Sequence, residues 1–187
     1  MAKQVWKPGN LLNPVPIVMV SCRSKEGKDN IITIGWAGTI CSDPCMVSIS
    51  VRKERYSHPI ISESGEFVIN LVSRNMANAC DLCGVKSGRD VDKFELAGLH
   101  KLEADKVNVA VIEESPLSLE CKVKQVLELG SHDMFVAEVV AVDVDESLLD
   151  DKGRLDLQKA DLVCYSHGEY FALGDKLGSF GYSVRKK

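Results

Sequence analysis

The sequence predicts a mainly β protein: an antiparallel barrel interrupted by short helices. Three observations carry this. Short apolar, β-branched runs recur between turn residues. Two longer runs, Leu117–Leu129 and Met134–Val144, flank a Gly130-Ser131-His132-Asp133 connection that reads as a hairpin. Only two segments, both short, read as helical. Many short strands with so little helix suit an antiparallel sheet closing on itself.

The elements follow in order. Pro16–Ser21 reads as a strand that turns through Lys25-Glu26-Gly27-Lys28-Asp29. Asn30–Ala37 and Cys45–Val51 form the next pair around Ser42-Asp43-Pro44. Ser57–Ser64 reads as a helix with Ser57 as N-cap, Pro59 in the first turn and Gly65 as the stop. Glu66–Val72 is a strand and Asn75–Cys83 a second helix. The polar stretch Gly84–Phe94 has no periodicity, which inside a compact domain marks a functional or disordered loop. After the long hairpin, Asp143–Asp156 reads as an acidic, solvated loop. Leu162–Tyr165 and Tyr170–Leu173 form a last short pair, and Ser183–Lys187 a frayed tail.

Composition bounds the function. A chain of 187 residues, 45% hydrophobic and 27% charged, can bury a real core. A net charge of −4 argues against general nucleic-acid binding. Met1–Pro8 lacks the apolar core of a signal peptide, and Val15–Cys22 is too short to span a bilayer, so a cytoplasmic protein without a membrane partner is expected. The seven cysteines fit that compartment. Five sit singly in apolar runs, and Cys80-x-x-Cys83 falls inside a helix, where packing is a better reading than redox chemistry. No second pair offers zinc spacing. Catalytic triads, paired carboxylates, P-loops and Gly-x-Gly-x-x-Gly are equally unsupported, so any nicotinamide would bind transiently.

Asn30–Ser57 holds the most chemistry. Gly35, Ala37 and Gly38 surround Trp36, and small residues around a large ring make a surface as readily as a core. Arg52, Lys53 and Arg55 immediately precede Ser57. They are either a charged strand edge or, beside a helix N-terminus, an anion site. A flat ring at one end and a phosphate at the other is the outline of flavin mononucleotide (FMN). Lys93 could simply pair with Asp90 and Asp92, and His132 could be an ordinary turn residue.

The order and spacing of several segments resemble the flavin reductase-like family with the FMN-binding split barrel, and within it the flavoredoxin group. These segments are Asn13–Pro16, Asn30–Trp36, Ser48–Ser57, Phe67–Leu71, Ser87–Phe94 and Gly130–His132. The resemblance runs from about Lys7 to Leu173. It implies one domain over residues 1–187, an antiparallel six-stranded FMN-binding split β-barrel with short flanking helices. It also implies non-covalent FMN, a homodimer with cofactor sites near the interface, and NAD(P)H or a small electron-transfer protein as transient partner. At matching positions, Asn30, Thr33, Trp36, Ser57, Lys93 and His132 would be flavin contacts. Arg52 and Lys53 would lie near the phosphate and Tyr165 beside the ring. Ser57 stands where threonine is common, Tyr165 where phenylalanine is known, and Ser131 where an acidic residue often precedes the histidine. Lys93 would favour the reduced flavin, and no side chain need act as nucleophile or base. A pure electron-transfer flavoprotein, or a barrel for another planar ligand such as haem, would share most of this pattern.

Overall fold

Residues 1–185 are described by the computed structural model, which leaves the last two residues of the expected tail, Lys186 and Lys187, outside. The strands are β1 (Val15–Pro16), β2 (Val18–Arg23), β3 (Asp29–Ile34), β4 (Ala37–Ser42), β5 (Cys45–Arg52), β6 (Glu66–Leu71), β7 (Lys101–Glu103), β8 (Ala110–Ile112), β9 (Leu117–Glu128), β10 (His132–Val144), β11 (Val163–Ser166) and β12 (Glu169–Ala172). The helices are α1 (Ser57–Ser64), α2 (Ala77–Val85) and α3 (Lys93–Ala97), with 3₁₀ turns elsewhere, including Tyr182–Val184 in the tail.

The main sheet is antiparallel, in the order β3-β2-β6-β9-β10-β5-β4, so it has seven strands where six were expected. The extra strand is β4: the run read as Asn30–Ala37 ends as a strand at Ile34, and a new strand runs from Ala37 on to Ser42. The chain bends at Gly35-Trp36, and β3 and β4, consecutive in sequence, lie at opposite edges of the sheet. The bend therefore closes the barrel. The Ser50 N–H donates to the Trp36 carbonyl at 2.9 Å, carrying the β4–β5 pairing into the bend. A smaller sheet, β1-β11-β12, packs beside the bend, and β7 pairs with β8.

Strands β2 and β3 are buried along almost their whole length because both their faces are covered. Val18, Val20, Ile32 and Ile34 join Val47, Ile49, Phe67 and Phe135 inside the barrel. Met19 and Ile31 face a second cluster built with Cys80, Cys83 and Phe94 from α2 and α3. Burial pushes the Cys80 thiol up to about 12 and the Cys83 thiol up to about 11, so both remain protonated packing groups at neutral pH.

Two local expectations need correction. Ser57 does not cap α1: it is the first helical residue, Tyr56 occupies the cap position, and the serine hydroxyl is engaged elsewhere. Gly65 does end the helix, at φ +68°. The stretch read as one loop to Phe94 contains the start of α3, a five-residue helix too short to show periodicity. Its signals are Asp92, whose carboxyl accepts from the Phe94 and Glu95 N–H groups, and Gly98 at φ +65°.

Candidate functional site

The buried side chain of Asn30, near the start of β3, donates from Nδ2 to Ser57 Oγ at 2.7 Å. Lys93 opens α3 and runs underneath the same point. It is only 5% exposed, and its Nζ donates to the Ile31 and Cys83 carbonyls, each at 2.7 Å. Burial pulls its ammonium below the ordinary lysine value, and the nearby Arg55 charge adds to the effect. Lys93 is therefore not a surface partner of Asp90 or Asp92, since Asp92 is occupied capping its own helix.

These residues wall a recess of about 150 Å³, completed by Arg55, Tyr56 and Arg89. Arg89 donates to the Glu54 carbonyl at 3.3 Å and lies 5.7 Å from the centre of the Tyr56 ring. Gly88 is required for this fit. A Cβ there would run into Asn30 Oδ1, with Asn30 Cγ at 2.7 Å and a Tyr56 ring carbon at 2.8 Å. The polar stretch after α2 is thus pinned against β3 and supplies one wall. The helix N-terminus contributes less than its position suggested, because the His58 N–H already donates to the Arg55 carbonyl at 3.0 Å.

A second recess, of about 100 Å³, continues from the first through the shared residues Ile32 and Arg55. Its walls include Thr33, Gly35, Trp36, Arg52 and His132. Trp36 is 55% exposed, with its ring 5.9 Å from the His132 ring and tilted by 34°. His132 is not at the hairpin tip but begins β10, directly opposite Arg52 of β5. Ser131 Oγ stands 2.9 Å from His132 Nδ1, so the serine meets the imidazole where an acidic residue would. Thr33 donates its hydroxyl to the Cys80 carbonyl, tying β3 to α2.

The remaining two positions fall differently. Tyr165 lies across the bend, packed edge-on against Tyr170 at 5.5 Å. With Thr33, Gly35 and Trp36 it lines a third recess of about 200 Å³. Lys53 is not brought to the groove. Its Nζ sits 3.0 Å from Glu128 and 3.3 Å from Asp133, and Asp133 in turn receives His58 Nε2 at 2.8 Å. Arg52 borders the second recess while pairing with Glu54 at 3.4 Å. Cations meet at one end of a continuous groove and flat, partly exposed rings at the other.

The sequence model of the "Flavin reductase like domain" matches residues 11–174. The chain belongs to this family. The flavoredoxin of Desulfovibrio vulgaris (Miyazaki F) superposes with a TM-score of 0.91 at 32% identity, covering 98% of this chain and 100% of that one. A flavoredoxin from Methanosarcina acetivorans gives 0.89 at 29% identity, over 97% of both chains. An FMN-binding protein from Thermus thermophilus, solved with 1-cyclohex-2-enone bound, gives 0.79 at 26% identity, over 96% of this chain and 98% of that one.

Within this split-barrel family member, the matched positions Asn30, Thr33, Trp36, Ser57, Lys93 and His132 converge on one groove, with Arg52 at its side. Reading by position missed Gly88 and Arg89. Their signal was present as a Gly-containing polar stretch too long for a simple connection. It also left Arg55 among the general cluster, although Arg55 borders both recesses.

Proposed function

We propose that this protein is an FMN-dependent oxidoreductase of the flavoredoxin type. It would take electrons from NAD(P)H or a small redox protein and pass them to a flavin, ferric or protein acceptor. The observation that supports this reading is the groove itself, cationic at one end and flat at the other. The donor set at the first recess, Arg55, Arg89 and Lys93 with the Ser57 hydroxyl, suits a phosphate monoester and the chain near it. Trp36, Gly35 and Thr33 suit a ring laid against backbone. Flavin, when bound, supplies hydride and single-electron chemistry. The chain's own residues bind, orient and shield. Arg55 and Arg89 hold the anionic end. Asn30 and Gly88 fix the wall between strand and polar segment. The buried Lys93 ammonium supplies a positive charge that stabilises negative charge developing nearby. The compact cationic recess beside Ser57, and a relative named as FMN-binding, favour FMN over a dinucleotide.

The same reading includes a homodimer. Trp36, which lines the groove, exposes apolar surface, and so do Ile40 of β4 and Leu11 and Leu12 of the segment before β1. Light scattering should return twice the 20.5 kDa of one chain. The cofactor assignment is tested by the absorption spectrum of purified protein and of protein mixed with FMN, followed by anaerobic NADH, NADPH or a reduced iron–sulfur protein. Flavin bands that bleach with one donor support the reading and name the donor. Protein that neither retains nor takes up FMN ends it.

A further inference from the structure

We propose that the cationic rim around the first recess is the docking surface for an acidic electron-transfer protein, a small iron–sulfur protein with a negatively charged face. The distribution of unpaired positive charge carries this. From β1 to β12, seven lysines and arginines have no carboxylate partner among the described residues, while the other ten are ion-paired. Five of the seven, Lys28, Arg55, Lys86, Arg89 and Lys93, gather at this one recess. The other two, Lys152 and Lys159, lie between β10 and β11. Tertiary structure does the gathering. Lys28, in the β2–β3 turn, reaches the polar segment after α2, where its Nζ donates to the Gly88 carbonyl at 3.4 Å. It lies 5.8 Å from the centre of the Tyr56 ring, and Arg89 lies 5.7 Å from the same ring. Lys86 follows the last residue of α2 and lines the recess.

One phosphate does not use this much charge. A phosphate monoester carries about two negative charges at neutral pH. Nearby carboxylates cancel little of the rest, since Glu54 turns to Arg52 and Asp92 to the N–H groups of α3, leaving exposed Asp90 to offset one cation. A recess of about 150 Å³ is also smaller than the ~300 Å³ at which small-molecule sites begin, so a second nucleotide has no room inside it. Lys28 and Lys86 are exposed, and Lys28 lines neither recess of the groove. Their surplus charge therefore faces solvent, at one place on a chain whose net charge is −4. Such a patch steers a partner of opposite charge to itself and fixes its orientation. Nucleic-acid-binding domains are basic overall, above a pI of about 9, whereas this chain has a pI of about 5.6. An acidic protein suits the patch better. Two one-electron donors of this kind, with one proton from solvent, supply what a flavin takes up on full reduction to its anionic form. That use of the surface rests on the function proposed above; the docking does not.

The probe is an acidic plant-type ferredoxin carrying a fluorescent label, titrated by anisotropy against the full chain with and without FMN. Both forms should bind it, and affinity should fall by about 10-fold or more between low salt and roughly 0.3 M salt. Lys28→Glu with Lys86→Glu should weaken binding in low salt by about 10-fold or more. Lys152→Glu with Lys176→Glu makes the same change in net charge at exposed positions outside the rim and should bind as the parent does. Lys28→Glu alone should weaken ferredoxin and keep FMN uptake, because Lys28 lines neither recess. Circular dichroism confirms that each variant is folded. No salt-sensitive binding of ferredoxin, equal losses in the two charge-reversed pairs, or tighter binding of a short DNA duplex than of ferredoxin would overturn the proposal. Ferredoxin binding by a protein that takes up no FMN removes the flavin reading and leaves this surface standing. FMN uptake without ferredoxin binding removes this surface alone.

Discussion

Two buried polar networks, one around Asn70 and Glu120 and one around Asn30 and Lys93, differ in what they leave over. At the centre of the sheet, Asn70 donates to the Met19 carbonyl and Ser21 Oγ, and accepts from the Ile112 N–H and Ser118 Oγ. Beside it Glu120, fully buried, accepts the N–H groups of Asp105, Lys106 and Val107 at 2.8, 2.6 and 3.1 Å. Donors and acceptors there are matched inside the protein. Around Asn30 the matching is incomplete. Lys93 directs two of its three N–H donors to carbonyls, and Arg55 and Arg89 present guanidinium groups to a recess. A network that closes on itself holds the fold, whereas one that ends in surplus donors is equipped to hold an anion.

The largest effect that would test this contrast is at Glu120. Glu120→Ala strips the partners from three backbone N–H groups and should cost about 3 kcal/mol or more. For a chain of this size that is roughly a 10 °C fall in melting temperature. Flavin affinity of the folded fraction should be unchanged. A loss of affinity without a loss of stability would reverse the roles given to the two networks.

At the groove the order inverts. Arg55→Ala with Arg89→Ala should weaken FMN by about 10-fold or more, since charge-assisted bonds contribute roughly 1.5–3 kcal/mol each. Riboflavin, which lacks the phosphate, should be affected much less. Lys53→Ala is the internal control. Its ammonium is committed to Glu128 and Asp133, so FMN binding should hardly change. Fluorescence titration of both ligands against the variants decides whether the phosphate lies at the first recess or beside Lys53.

Lys93→Met isolates the surplus charge. The stem is kept, the ammonium is removed, and the bound flavin's potential should fall by tens of millivolts; about 30 mV corresponds to 1.4 kcal/mol for two electrons. Spectroelectrochemical titration beside the parent provides the readout, and an unchanged midpoint with flavin still bound would remove the tuning role.

The smallest effect concerns the clasp behind Lys53. Desolvation works against the Asp133 carboxylate, but hydrogen bonds from His58 and Lys53 prevail and hold its pKa below the ordinary value. A depressed carboxyl stabilises the fold fully above its unfolded pKa of about 4, and the contribution fades as the pH falls through the lower folded value. Asp133→Asn should therefore flatten the stability profile on the acid side of pH 4 and leave its shape at neutral pH intact. Denaturant titrations across that range provide the comparison.

Most strands, α1, α2 and the hairpin were legible because each is announced locally, by apolar runs, by Gly65, and by Gly130 between two long segments, whereas β4 and the three-residue strands β7 and β8 were not read. The matched positions also carried most of the groove, since Asn30, Trp36, Ser57, Lys93 and His132 do converge. What local pattern does not contain is direction. Lys53 and Arg55 are both cations of one turn, yet one faces two carboxylates across β10 and the other faces the recess. Ser57 looked like a helix cap because its neighbours do, while its actual partner lies 27 residues earlier on another strand. The break at Gly35-Trp36 was invisible for the same reason. An apolar run looks continuous whether it stays in one strand or crosses from one edge of a sheet to the other, and only the pairing of β3 with β2 and of β4 with β5 makes the chain turn there. Sequence by itself determined where most of the strands form and which residue types are at hand. Which side chains meet, and which donors remain unspent, was decided by tertiary closure, because burial and pairing are properties of neighbours distant along the chain.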